Sequence, residues 1–209
     1  MNVTGHVALA ARLEPDPAVW LGAALPDLAG AGRHRLLGST DDDAVTLGIA
    51  LHHRSDDVFH GSAWFRSLQD ELRPRLETLG LGRGAARAIA HVGPELLLDR
   101  ALLAGHDAGT LRERAIAEIE PRRAALRPLV DRDHDGWDRH LTRIVGATPP
   151  DDSTVAAAAA RLHRVLARRP RLAFDESMVA EVEAQLESVA PHIDATADDL
   201  LDELADQLT

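Results

Sequence analysis

Residues 41–80 read DDDAVTLGIALHHRSDDVFHGSAWFRSLQDELRPRLETLG, and this stretch decides the fold class. Ser39, Thr40 and Asp41 offer N-caps, after which Val45, Leu47, Ile49, Leu51 and His52 mark a helix. Gly61 and Ser62 interrupt it. Trp64, Phe65, Leu68, Leu72 and Leu76 then resume the pattern as an amphipathic helix closing at Gly80.

Upstream, Val3, Val7, Ala8 and Ala11 give residues 2–13 helical spacing, and Asp16 followed by Pro17 starts a second helix expected to stop near Pro26. A polar, Gly- and Arg-rich loop follows over 30–40. Toward the C-terminus a helix is expected over 85–103, kinked or split by Gly93 and Pro94, which remove a backbone donor. Helical stretches then read over 108–130, 137–145, 153–167 and 177–208, the last broken at Pro191. The alanine run 156–160 is a small-residue helix face. Nowhere do β-branched and aromatic residues alternate over a strand length, and no solenoid period appears. The expectation is an all-α, single-domain helical bundle over 1–209.

Composition narrows the chemistry. Aromatic residues are 3% of the chain, with no Tyr, so the core must be built from Leu, Ala, Val and Ile. A formal net charge of -11 argues against a nucleic-acid backbone as partner. With no Cys, a transition metal has only imidazole and carboxylate to hold it, and eleven His are present. No run approaches the roughly 20 apolar residues that span a bilayer, and no basic leader precedes an apolar one. The sequence therefore predicts no membrane span and a cytoplasmic location.

His52 with Asp56, and His91 with Glu95, are each spaced i, i+4, so on a helix each pair shares one face and can chelate one ion. Such pairs also occur as ordinary surface hydrogen-bonded pairs; the apolar residues just before each, Ile49 to Leu51 and Ala88 to Ala90, favour an inward setting. His6 and Asp27 are upstream candidates, and His60 and Asp99 extend the two rows to i+8. DRDHDG at 131–136 opens like a calcium loop, but its twelfth position is Thr142, so it reads as a polar connection capping the helix of Trp137. No Gly-x-Ser-x-Gly surrounds Ser39, Ser55, Ser62 or Ser67, and the absence of Lys excludes a GxxxxGK phosphate loop. His34, His106, His134, His140, His163 and His192 read as surface residues.

In this order the motifs resemble the acyl carrier protein phosphodiesterase family, a divergent relative of HD-domain phosphohydrolases. The likeness lies in MNVTGH with His6, LGAALPD with Asp27, HHRSD with His52 and Asp56, HVGPE with His91 and Glu95, and the tail segment LARRPRL. The family's DHF is ELL here, and His53 stands where it has Arg. A second likeness is to bacterial zinc-dependent phospholipase C. These resemblances imply an HD-like or phospholipase C-like bundle hydrolysing a phosphoester, with an acyl carrier protein among the implied substrates. They imply zinc, manganese or iron held by His6, Asp27, His52, Asp56, His91 and Glu95. Asp56 and Asp99 are the candidate proton-handling carboxylates, Arg54 the candidate phosphate clamp, and His60 a ligand or an orienting group. The competing reading is a helical binding protein that keeps the scaffold without the chemistry.

Overall fold

The structure is a computed structural model describing residues 1–105, 107–147 and 153–209. Its helices are α1 (Val3–Leu13), α2 (Pro17–Ala31), α3 (Asp43–Gly61), α4 (Ala63–Thr78), α5 (Arg83–Gly105), α6 (Ala108–Ala117), α7 (Arg123–Leu126), α8 (His134–Gly146), α9 (Val155–Leu166) and α10 (Val179–Leu208). Short 3-10 turns occupy Arg127–Leu129 and Glu176–Met178. Among the described residues there is no strand, only an isolated bridge between Leu36 and Val130, so the class is all-α. No helix among them is long and apolar enough to cross a membrane.

The chain divides into two compact units, one of Met1–Val58, His106–Pro150 and Leu201–Thr209, the other of Phe59–Gly105 and Asp151–Leu200. In the first, α1, α2 and α6 pack together. Leu21 and Leu25 of α2, Val45 and Ile49 of α3, and Trp137 and Leu141 of α8 form one buried cluster. Gly22 and Gly48 set how closely α2 meets α3: a Cβ on Gly22 would run into the Val45 carbonyl, and one on Gly48 into the Val19 carbonyl. Only hydrogen fits where two helix backbones touch. In the second unit α5 packs against α4 and α9. A Cβ on Gly93 would lie 2.7 Å from Leu186 Cδ2.

Three expectations about helix ends are corrected. α2 runs through Pro26, α5 is unbroken through Gly93 and Pro94, and α10 runs through Pro191. An internal proline forfeits one hydrogen bond and crowds the preceding turn, at about 3 kcal/mol. Each of these has buried apolar residues on both sides, such as Leu25 and Ala29 around Pro26 and Ile89 and Leu97 around Pro94. Stopping the helix would give up that burial, which outweighs one lost bond. Residues 108–130 instead form α6, a turn, α7 and a 3-10 turn. Pro121 disfavours helical backbone at Glu120, and the neighbouring Arg122 is drawn to Asp42, Nε to Oδ2 3.0 Å.

At 133–136 the capping reading holds: Asp133 accepts from the Gly136 amide at 3.1 Å, starting α8. His34 and His140 are not plain surface residues. Both are half-buried with ring contacts to Trp137, and His140 Nε2 donates to the Leu28 carbonyl at 2.7 Å. His106 lies outside the described residues.

Candidate metal centres

The first centre is built on α1, α2 and α3 within the first unit. Asn2 caps α1, accepting from the Val3 amide at 3.0 Å, which places His6 one turn in with its side chain fully buried. The Gly22–Gly48 contact brings α3 close enough for His52 Nδ1 to donate to the Ala23 carbonyl of α2 at 2.8 Å. Asp56 stands one helical turn beyond His52, and its Oδ1 is 3.3 Å from His6 Nε2. Asp27, on the extension of α2 past Pro26, brings Oδ2 to 4.0 Å from the same nitrogen. The rings of His6 and His52 are 3.8 Å apart, and His6, His52 and Asp56 each offer one ligand atom within 4.8 Å of the others.

Hydrogen bonding fixes which ring nitrogens carry protons. A carbonyl only accepts, so His52 bears its proton on Nδ1 and leaves Nε2 as a lone pair. Ser55 spends its hydroxyl proton on the His52 carbonyl at 2.9 Å, so towards His6 Nδ1, 3.1 Å away, it accepts. His6 is thereby protonated on Nδ1 as well. Its Nε2 is a buried lone pair that makes no hydrogen bond, with two carboxylate oxygens in front of it.

Burial pushes the His6 pKa down to about 3 and that of His52 down to about 4, so both imidazoles are neutral at ordinary pH. Burial would raise the Asp56 carboxyl. The Met1 ammonium, 2.7 Å from Oδ1, opposes it and helps hold the group below the usual carboxylate range. Neutral nitrogen lone pairs beside an ionised carboxylate suit a borderline divalent cation. The floor is imidazole and the rim is carboxylate: His6 has no exposed side-chain surface, whereas Asp27 and Asp56 retain about 30%.

The second centre lies in the other unit. His60 Nε2 is 3.0 Å and His91 Nε2 3.4 Å from the same oxygen, Glu95 Oε1. The two rings are 4.8 Å apart, and both contact Phe65, His91 edge-on and His60 tilted. The Gln69 amide of α4 meets His91 Nδ1 at 2.8 Å and orients the ring. These residues too could hold an ion.

Of the six ligands expected from sequence, His6, Asp27, His52 and Asp56 thus belong to the first unit, and His91 and Glu95 to the second with His60. Comparison with protein-family models, with curated proteins and with solved structures found no match to this chain. Asp99 is buried on α5, one turn past Glu95. Arg54, the expected phosphate clamp, donates from Nη2 to the Leu208 carbonyl at the end of α10, 2.7 Å away. Ser55, Gln69 and the Ala23 carbonyl were missed from sequence. A serine three residues after a histidine is unremarkable until α1 is laid beside it.

Proposed function

We propose that the protein is a metal-dependent phosphoester hydrolase, of the phosphodiesterase class, on an HD-like helical scaffold. The observation that carries the reading is the buried His6 Nε2, which makes no hydrogen bond and faces Asp56 at 3.3 Å and Asp27 at 4.0 Å, with Ser55 at the ring's other nitrogen. Lone pairs facing carboxylates repel, and a cation among them turns that repulsion into coordination. His6, His52 and Asp56, with Asp27 at the rim, are the ligands of the principal ion; His60, His91 and Glu95 hold a second, more accessible one. Zinc, manganese or iron fits the nitrogen and oxygen donors.

A divalent ion bound there supplies Lewis acidity towards a phosphoryl oxygen and acidifies water. The chain's own groups do the rest. Ser55 and Ala23 hold the two imidazoles in the tautomer that offers Nε2. Asp56 remains ionised and able to hold a cation, and the part-exposed carboxylate rim leaves a side open to substrate.

Protein purified without chelator is expected to carry one of these metals and to cleave bis(p-nitrophenyl) phosphate. His52→Ala, with its helical circular dichroism retained, loses the principal ion and the activity together. A metal-free protein inert towards that diester after addition of zinc, manganese and iron would defeat the reading.

A further inference from the structure

Away from the metal centres, the first unit holds a cavity of about 440 Å³ lined by Arg33, Arg35, Arg132, Arg139 and Arg143, with Asp131 and Asp133 the carboxylates among the described lining residues. The whole chain has 34 acidic residues against 23 basic ones, so a concavity with five guanidiniums and two carboxylates runs against the composition. Arginines nearby are neutralised: Arg122 pairs with Asp42 and Glu118, and Arg127 with Asp135 and Asp138. In the cavity, Asp133 is occupied in capping α8, and among the described residues Asp131 pairs with Arg132, at 3.8 Å. Arg33, Arg35 and Arg139 form no ion pair among the described residues.

A second observation is independent of charge. Arg33 (φ 61°) and Asp133 (φ 53°) are the non-glycine residues that hold left-handed backbone among those described, and both line this cavity. Arginine gains nothing locally from that conformation, and such strain persists only where the surroundings enforce it. The surroundings here are firm. The Leu36–Val130 bridge and the Leu37 amide to Leu129 carbonyl bond, 2.8 Å, tie the Arg33 loop to the segment entering α8. Beneath the loop, His34 and His140 rest on the buried Trp137. The guanidiniums are carried on a built frame.

We infer that this cavity is a binding site for a small polyanion bearing two or more phosphate groups. Guanidinium forks match phosphate oxygens two at a time, and the volume suits a small molecule rather than a polymer. The site goes beyond the hydrolase reading and needs no metal.

The test is calorimetric titration of the full chain with inorganic pyrophosphate, with sulfate at matched ionic strength as the control. It is run on the wild type, on His52→Ala, and on the exposed double variant Arg35→Ala/Arg139→Ala. Saturable pyrophosphate binding is expected in the first two, with sulfate much weaker, and at least a tenfold loss in the double variant at an unchanged melting temperature. Arg33→Gly, which removes the strain along with a guanidinium, should weaken binding without lowering the melting temperature. No saturable binding to the wild type, or full affinity in the double variant, overturns the inference. Binding that disappears in His52→Ala but survives the double variant would assign the anion to the metal centre and also overturn it.

Discussion

The two His and carboxylate clusters use the same residue types with the burial reversed. In the first, the imidazole of His6 is sealed and the carboxylates of Asp27 and Asp56 reach solvent. In the second, His60 and His91 are 31% and 44% exposed over a Glu95 that is 12% exposed. The difference decides how far each cluster can satisfy itself. Glu95 Oε1 can accept from both imidazoles of its cluster, so that group closes on itself by ordinary hydrogen bonds. His6 cannot donate to Asp56, because Ser55 has fixed its proton on the far nitrogen. An ion would have to displace hydrogen bonds in the second cluster, whereas in the first it would meet His6 Nε2, which makes none, so the first is expected to bind it more tightly.

The most damaging change to this contrast is at the helix crossing. Gly48→Ala forces a methyl into the Val19 carbonyl and separates α2 from α3. It is expected to lower unfolding free energy by about 3 kcal/mol in urea titration and to abolish tight metal binding, while Gly61→Ala, where no atom lies within 4 Å, leaves both intact. Next in size is the response to acid. Between the folded-state values, about 3 for His6 and about 4 for His52, and the ordinary 6.5, the unfolded chain binds the extra protons. Stability therefore rises with pH across that window and is lost on acidification below about 6.5. The Asp56 contribution disappears in the same direction at lower pH, because its folded carboxyl is held below the ordinary value. His6→Gln should flatten the melting-temperature profile between pH 4 and 6.5.

Smaller effects separate the clusters. Ser55→Ala frees the His6 tautomer and is expected to weaken the principal ion by about tenfold in a competitive chelator titration, leaving the second site unchanged. Gln69→Ala should do the reverse, with a loss of about tenfold or less confined to the more exposed cluster.

The helical class and most element centres were legible in the sequence because three- and four-residue apolar spacing survives in Val45, Ile49, Phe65, Leu68, Leu72 and Leu76, all buried in the structure. The helix ends expected at Pro26 and Pro191 are absent, and α5 is not split at Pro94, because local propensity does not know how much surface lies buried beyond the proline. The i, i+4 spacing revealed the pairs His52–Asp56 and His91–Glu95 because a helix makes it a statement about geometry. Ser55 beneath His6, 49 residues away along the chain, had no periodic signature, and neither did Gln69 behind His91. Contacts between helices are invisible to a pattern that runs along one of them. The arginine cavity was hidden for the same reason, since residues 33–35 and 132–143 are brought together by contacts between segments, among them the Leu36–Val130 bridge and the Trp137 floor.

Long-range nitrogen–proton correlation of the histidine rings, recorded at neutral pH on metal-free protein and again after zinc is added, tests the tautomer on which the principal centre depends. His6 and His52 are expected to be neutral with hydrogen on Nδ1, and zinc to shift their Nε2 resonances alone. An imidazolium at either position, or a His6 hydrogen found on Nε2 and shared with Asp56, would contradict it.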